Sequence, residues 1–468
     1  MRLLRDLLSN AWRGLLAVSA LAVAGTLSVP NTLAAGAHTS ATDNPPPDVR
    51  FGAVEAWMAP EAARDLRVGW DRMLVDWYKY QPENADQWIV PTEDNERVNL
   101  TIAAGREMVL LLRGTPAWAT DGKPYAGVPR GLRLPVDDPR NVWAGFVRRV
   151  VREYAGRVNR FIIWNEPDIA PDEHGVQFLG TVEDYYQLVK VAYLAARQIN
   201  PQAQIHLGGL THWHDVVFNR RPYLQRFLEV AGRDPTAREN NYYFDVVTVH
   251  IYFRTETVYG IIALFRDILR EAGLTHPIWL NETNAAPAND PQMPWHNAMF
   301  YLTMDQQAAF LVQAFALGLA AGAERVAVYK LAEIYPPLPG VDYNGLYRPD
   351  GSARPAVEAL RTITTHFAGV RRVSHFVNSR YHEVRLERSN AVTRVLWARR
   401  DQSVLVSLTA TRGAQSVVVY DHLGQALPLN FAGALAYTFT LPAAACRDPQ
   451  HGCLVGGIPL LVVETVKP

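Results

Sequence analysis

Two segments of this chain end an apolar run in a glutamate. Phe161–Ile169 (FIIWNEPDI) carries Glu166, and His276–Asn284 (HPIWLNETN) carries Glu282. A short apolar run that opens into polar residues is the pattern of a buried parallel strand whose C-terminal end reaches a site. Two carboxyls at the mouths of two such strands suit cleavage of a glycosidic bond, which needs one proton donor and one nucleophile or base. Cleavage with retention needs the two groups about 5–5.5 Å apart, one protonated at rest and the other ionised. Once the nucleophile is esterified its negative charge is gone, so the acid loses its reason to hold a proton and can act as base toward water.

The elements that must position these groups follow from the patterning. Strand-like runs occur at Val49–Ala56, Gly69–Val75, Met108–Arg113, Arg160–Trp164, Gln204–Leu210, Phe244–Tyr252, Pro277–Leu280 and Arg325–Leu331. Amphipathic stretches separate several of them. Phe146, Val147, Val150, Val151 and Tyr154 share a helical face, and Thr303 with Gln306 has capping-box spacing ahead of an apolar helix. Eight strands alternating with helices over roughly 320 residues predict a (β/α)8 barrel across 49–368, with catalytic residues at strand C-terminal ends. The first repeat fits least well, because little chain lies between Ala56 and Gly69 for a helix.

After Gly369 the texture changes to short alternating segments: Thr393–Ala398, Ser403–Thr409, Ser416–Tyr420, Ala436–Leu441 and Leu460–Glu464. Residues 369–468 are therefore expected to form an all-β sandwich. No dense carboxylate cluster lies there, so its first expected role is packing, with carbohydrate binding as the alternative. Cys446 and Cys453 are the chain's two cysteines, close together. In an exported protein such a pair is expected to staple a loop as a disulfide.

Export itself is read from the N-terminus. Arg2, Arg5 and Arg13 precede an apolar stretch from Leu15 to Leu27, and small residues follow through Ala34-Ala35-Gly36-Ala37. That is the order of a secretory signal over 1–37, with cleavage after Ala37 or Ala35; the alternative is an uncleaved membrane anchor. A polar, proline-rich linker follows over 38–48. Basic and acidic residues balance at 46 each, so no global field favours nucleic acid or a membrane surface. Secreted or extracytoplasmic placement is the expectation.

Trp164-Asn165-Glu166-Pro167 resembles the acid/base strand of clan A, the large retaining clan of glycoside hydrolases. Glu282 in Ile278-Trp279-Leu280-Asn281-Glu282-Thr283 resembles the nucleophile on its seventh strand. The resemblance covers nearly all of residues 50–365 in strand order, and with its β-rich tail the chain is most similar to glycoside hydrolase family 39, which includes β-xylosidases and α-iduronidases. It implies Glu166 as acid/base and Glu282 as nucleophile. It also implies Asn165 on the sugar 2-hydroxyl, Tyr252 donating to the nucleophile, and Arg72 keeping the nucleophile ionised. His250 and Tyr252, two apart on a strand, share a face, although His250 also fits a satisfied structural histidine and Arg72 a brace for the barrel. Alone, either glutamate would read as a surface or ion-paired residue. Their joint occurrence in this order carries the assignment.

Other residues are open to two readings. Trp118, in Thr115-Pro116-Ala117-Trp118, offers a sugar-stacking face or a core contact; Trp295 is a weaker candidate of the same kind. His212-Trp213-His214-Asp215 has metal-like residue types without a third partner fixed by spacing, so cleft lining is favoured. Asn281-Glu282-Thr283 matches a glycosylation sequon, at a strand end where its use is implausible. Where many clan members end the eighth strand in a substrate-floor tryptophan, this chain has Val328-Tyr329-Lys330-Leu331. Arg113 and Lys330 are then expected to bring positive charge to the cleft and favour an acidic or decorated sugar.

The expected activity is retaining O-glycosyl hydrolysis of an oligosaccharide, polysaccharide or glycoside, with no cofactor, metal or nucleic-acid partner. A non-catalytic glycan-binding protein on the same barrel and a transglycosylase are the alternatives.

Overall fold

The computed structural model describes residues 46–173, 175–296, 298–333, 343–429, 436–448 and 451–467. The segment read as an export signal, and the linker up to residue 45, lie outside the described residues.

Eight strands form one parallel sheet: β1 (Phe51–Ala53), β2 (Trp70–Asp76), β3 (Glu107–Arg113), β4 (Arg160–Ile163), β5 (Gln204–Leu207), β6 (Val247–Tyr252), β7 (Ile278–Asn284) and β8 (Ala323–Val328). Their order is β5-β4-β3-β2-β1-β8-β7-β6, and bridges His206–Val246 and Leu210–Val249 bring the two ends together. This is the (β/α)8 barrel the strand pattern predicts. Parallel strands covered on both faces bury nearly every residue, and all seven of β7 are buried, Asn281 to Asn284 included.

The weak first repeat is resolved by compression. A 3-10 turn (Ala56–Met58) and a six-residue helix (Pro60–Asp65), with Pro60 pre-set for its first turn, replace a full helix. Trp70, Val109, Leu111, Ile162 and Trp279 fill the barrel interior. Trp70 and Trp279 lie 5.1 Å apart, and Arg160 and Arg325 cover the Trp279 ring while both bond Glu107. The N-terminal end is thus plugged, and the open end is the one toward which the strands run.

Beyond the helix Ala356–His366 come eight antiparallel strands: β9 (Arg372–Val377), β10 (Tyr381–Glu387), β11 (Ala391–Ala398), β12 (Val404–Thr409), β13 (Ala414–Tyr420), β14 (Ala426–Leu427), β15 (Ala436–Leu441) and β16 (Leu460–Val466). Six form one sheet, β14-β13-β16-β11-β10-β9, and β12 pairs with β15. Leu396, Val404, Val406, Leu408, Tyr437 and Val462 form a core of their own. Alternate residues Val384, Leu386, Val395, Trp397 and Leu461 belong instead to the large core shared with the barrel helices. The helix Met304–Ala320 is consequently buried from Gln306 through Leu319, as a helix apolar all round must be. Its Thr303–Gln306 capping box forms as expected.

Cys446 and Cys453 are joined in a disulfide. Their loop docks on the barrel's open face: Ala445 O accepts from Gln306 Nε2 at 2.7 Å, Asp448 Oδ2 from Tyr301 N at 2.9 Å, and Leu454 O from Thr255 N at 3.1 Å. Among the described residues, no helix is long and apolar enough to cross a membrane.

Candidate active site

The chain leaves β4 under strain. Trp164 and Glu166 both take left-handed φ values, 67° and 46°, a conformation that costs a non-glycine residue about 1–3 kcal/mol. The Trp164 indole is buried and donates to Gln177 O at 2.8 Å, which ties this turn to the following loop. Glu166 is left with its carboxyl partly exposed. One oxygen, Oε1, lies 2.8 Å from His250 Nδ1, and the other, Oε2, accepts from Gln177 Nε2 at 3.0 Å.

Glu282 reaches the same place from β7. Between β6 and β7 the register passes from Val249–Leu280 to His250–Glu282, so Asn281 is an additional residue that re-aims the strand. The Glu282 carboxyl meets an Arg72 guanidinium nitrogen at 2.5 Å, accepts a short hydrogen bond from the Tyr252 hydroxyl, and lies 3.4 Å from His250 Nδ1. Burial pushes this carboxyl upward, but Arg72, His250 and the Tyr252 hydrogen bond outweigh it and hold it below its ordinary value. Tyr252 moves the other way: burial, then the negative charge of Glu282, raise its hydroxyl well above the usual range.

His250 stands between the two glutamates. Ligand atoms of Glu166, His250 and Glu282 all lie within 4.8 Å of one another. The ring fits there because Gly209 lies against it; a Cβ at that position would fall 1.9 Å from His250 Nε2. Among the described residues this is the one group of three or more His, Cys, Asp or Glu side chains close enough to hold a metal. Arg72, Tyr252 and Gln177 already bond its carboxylates, and the guanidinium opposes a second cation.

Asn165 is buried beside Glu166, and its Oδ1 has no hydrogen-bond partner among the described residues, an acceptor that a ligand hydroxyl can satisfy. Tyr329 closes the site beside β8. It meets the Tyr252 ring edge-on at 6.3 Å and is raised by burial and by Glu282.

Lys330 and Arg113 do not supply free positive charge. Lys330 is buried between Glu55 (3.4 Å) and Glu333 (3.6 Å), and Arg113 is bonded to Asp76 (3.0 Å) and Gln177 (3.2 Å). Both charges expected in the cleft therefore have carboxylate partners that the sequence does not reveal, and Asp76 is shared between Arg113 and Lys79.

The structure ties Trp118 to the packing, with its indole donating to Gln81 O at 2.7 Å and its ring edge-on to Trp77. Trp295 is half-buried in the loop after β7. In the His212–Asp215 run, the two histidines and the aspartate are held in structural contacts, and Trp213 is exposed. His214 bonds Glu173 at 2.9 Å, Asp215 takes Arg220, Arg226 and the Tyr223 amide, and the His212 ring packs on Phe265. Burial of Asn281 removes it as a glycan acceptor. Gln177 and Glu55 were not anticipated. Gln177 sits in a loop eleven residues after Glu166 with no motif around it, whereas Glu55 lies within the expected strand Val49–Ala56, past the observed end of β1, and has a left-handed φ of 59°.

No protein-family model and no curated protein matches the sequence. Solved structures do match. A family 39 glycoside hydrolase from Bacteroides cellulosilyticus WH2 superposes with a TM-score of 0.66 at 14% identity, covering 90% of this chain and 81% of its own. A GH30 endoxylanase from Clostridium papyrosolvens C71 gives 0.59 at 14% identity, covering 90% and 97%. A monomeric β-xylosidase from Caulobacter crescentus CB15 gives 0.59 at 13% identity, covering 90% and 96%. The chain therefore shares its fold, the (β/α)8 barrel with a β-rich part, with these glycoside hydrolases.

Proposed function

We propose that this chain is an exported glycoside hydrolase that acts with net retention. The observation that carries the reading is the approach of two carboxylates, from β4 and β7, with oxygens within 4.8 Å at the open end of the barrel. Inverting enzymes hold their carboxyls about 6.5–9.5 Å apart to admit a water, and retaining ones about 5–5.5 Å apart.

Glu282 is the nucleophile, because Arg72 and Tyr252 stabilise its ionised form. Glu166, the more exposed of the two, protonates the departing oxygen. The first step breaks the glycosidic bond and forms an ester between Glu282 and the anomeric carbon. In the second step Glu166 takes a proton from water, which attacks that carbon and releases Glu282. Asn165 supports both steps from the sugar 2-hydroxyl. The order of Arg2–Arg13, Leu15–Leu27 and Ala34–Ala37 supports export.

The test is intact-protein mass after incubation with 2-deoxy-2-fluoro glycosides carrying good leaving groups. The endoxylanase and β-xylosidase among the structural neighbours make aryl β-xylosides the first probes. A mass increase mapped to Glu282 is the expected result. No label across a broad panel, in folded protein that still binds sugar, would replace this reading with the glycan-binding one. Products longer than the substrate would mark a transglycosylase.

A further inference from the structure

Gln177 connects Glu166 to a partly buried ion pair. Its side-chain carbonyl accepts from Arg113 Nη1 at 3.2 Å, and Arg113 Nε donates to Asp76 Oδ1 at 3.0 Å. Lys79 also bonds Asp76 at 3.0 Å. Arg113 and Lys79 hold the Asp76 carboxyl below its ordinary value against the upward push of burial. The Gln177 backbone is fixed as well, by the Trp164 indole on its carbonyl.

An arginine only donates, so the Gln177 carbonyl must face Arg113 and its NH2 must face Glu166. An amide NH2 also only donates, so Glu166 Oε2 is an acceptor whether or not the acid carries its proton. Accepting from Gln177 disfavours a proton on Oε2 and favours one on Oε1, which lies 2.8 Å from His250 Nδ1 and carries it when that nitrogen bears none; the same nitrogen lies 3.4 Å from Glu282.

We infer that Gln177 is a positioning residue that holds the Glu166 carboxyl and biases which of its oxygens carries the transferable proton, with Arg113 and Asp76 locking its amide. The inference rests on Glu166 being the acid/base. Arg113 then acts on the acid through Gln177 rather than on a substrate charge.

The test compares Gln177→Met, the isosteric Gln177→Glu, Arg113→Met and the double variant Gln177→Met/Arg113→Met with the parent enzyme and with Glu166→Ala. Each is assayed on aryl glycosides of graded leaving-group ability, using the sugar that labels Glu282 fastest. A misplaced proton matters most where the leaving oxygen needs it. We expect kcat/KM to fall about 10–100-fold on poor leaving groups and no more than about threefold on 2,4-dinitrophenyl glycosides. The double variant should be no worse than Gln177→Met alone, since the two residues act in series. A flat loss across leaving groups in the folded Gln177 variants, or additive losses in the double variant, overturns the inference. If Glu166→Ala is steep while Gln177→Met is flat, the inference alone fails. If Glu166→Ala is itself flat, the acid/base reading falls and takes this inference with it.

Discussion

At the scale of single residues, the two glutamates differ in surroundings more than in kind. Glu282 is bonded by a guanidinium and a phenol, and Glu166 by an amide and an imidazole. Glu282→Ala should lower turnover by about 10⁴-fold or more on every substrate. Glu166→Ala should lower kcat/KM by about 10²–10⁴-fold on poor leaving groups while sparing activated aryl glycosides, which need little protonation. Steady-state kinetics on a leaving-group series checks both. Because the folded Glu282 carboxyl lies below its ordinary value of 4.5, its ionised form favours the fold above that pH. That contribution is lost as pH falls through the folded value, and the acid limb of kcat/KM should lie below 4.5. Arg72→Met should move that limb upward by about 1–3 pH units, measurable in a pH–rate profile.

At the scale of elements, strand ends and their irregularities set the aim of each group. The extra residue Asn281 lets β7 present Glu282 beside His250, and Gly209 leaves room for the histidine ring. Gly209→Ala should displace that ring and cost at least about 10-fold in kcat/KM, since a small misplacement near the reacting groups is expensive. Unchanged kinetics in a variant with normal thermal stability would show that the histidine does not need its present place. The strand pattern located all eight barrel strands because period and buried runs are local properties. It missed β9, β10 and the two-residue β14; the first two show why. Their segments, RVSHFV and YHEVRLE, interleave charges with apolar residues, and the apolar side of β10 is decided by what the sheet covers.

For the whole molecule, the β-rich part is joined to the barrel through a shared core rather than tethered. Removing residues 369–468 should expose the outer face of the helix Met304–Ala320 and yield insoluble protein, checked by the soluble fraction on expression. The disulfide closes a short loop against the open face. The Cys446→Ala/Cys453→Ala variant should lose about 2–3 kcal/mol of stability, measured by chemical denaturation.

The sequence by itself determined the pair of glutamates, their strand order and the His250–Tyr252 face, because strand-end position and a period of two are written in neighbouring residues. The tertiary structure decided which partners each charge has. Lys330 meets Glu55, and Arg113 meets Asp76 and Gln177, across separations of 275, 37 and 64 residues that only barrel closure brings within reach. Local pattern cannot specify such pairs, and so the surroundings of these two charges are set by the tertiary structure alone.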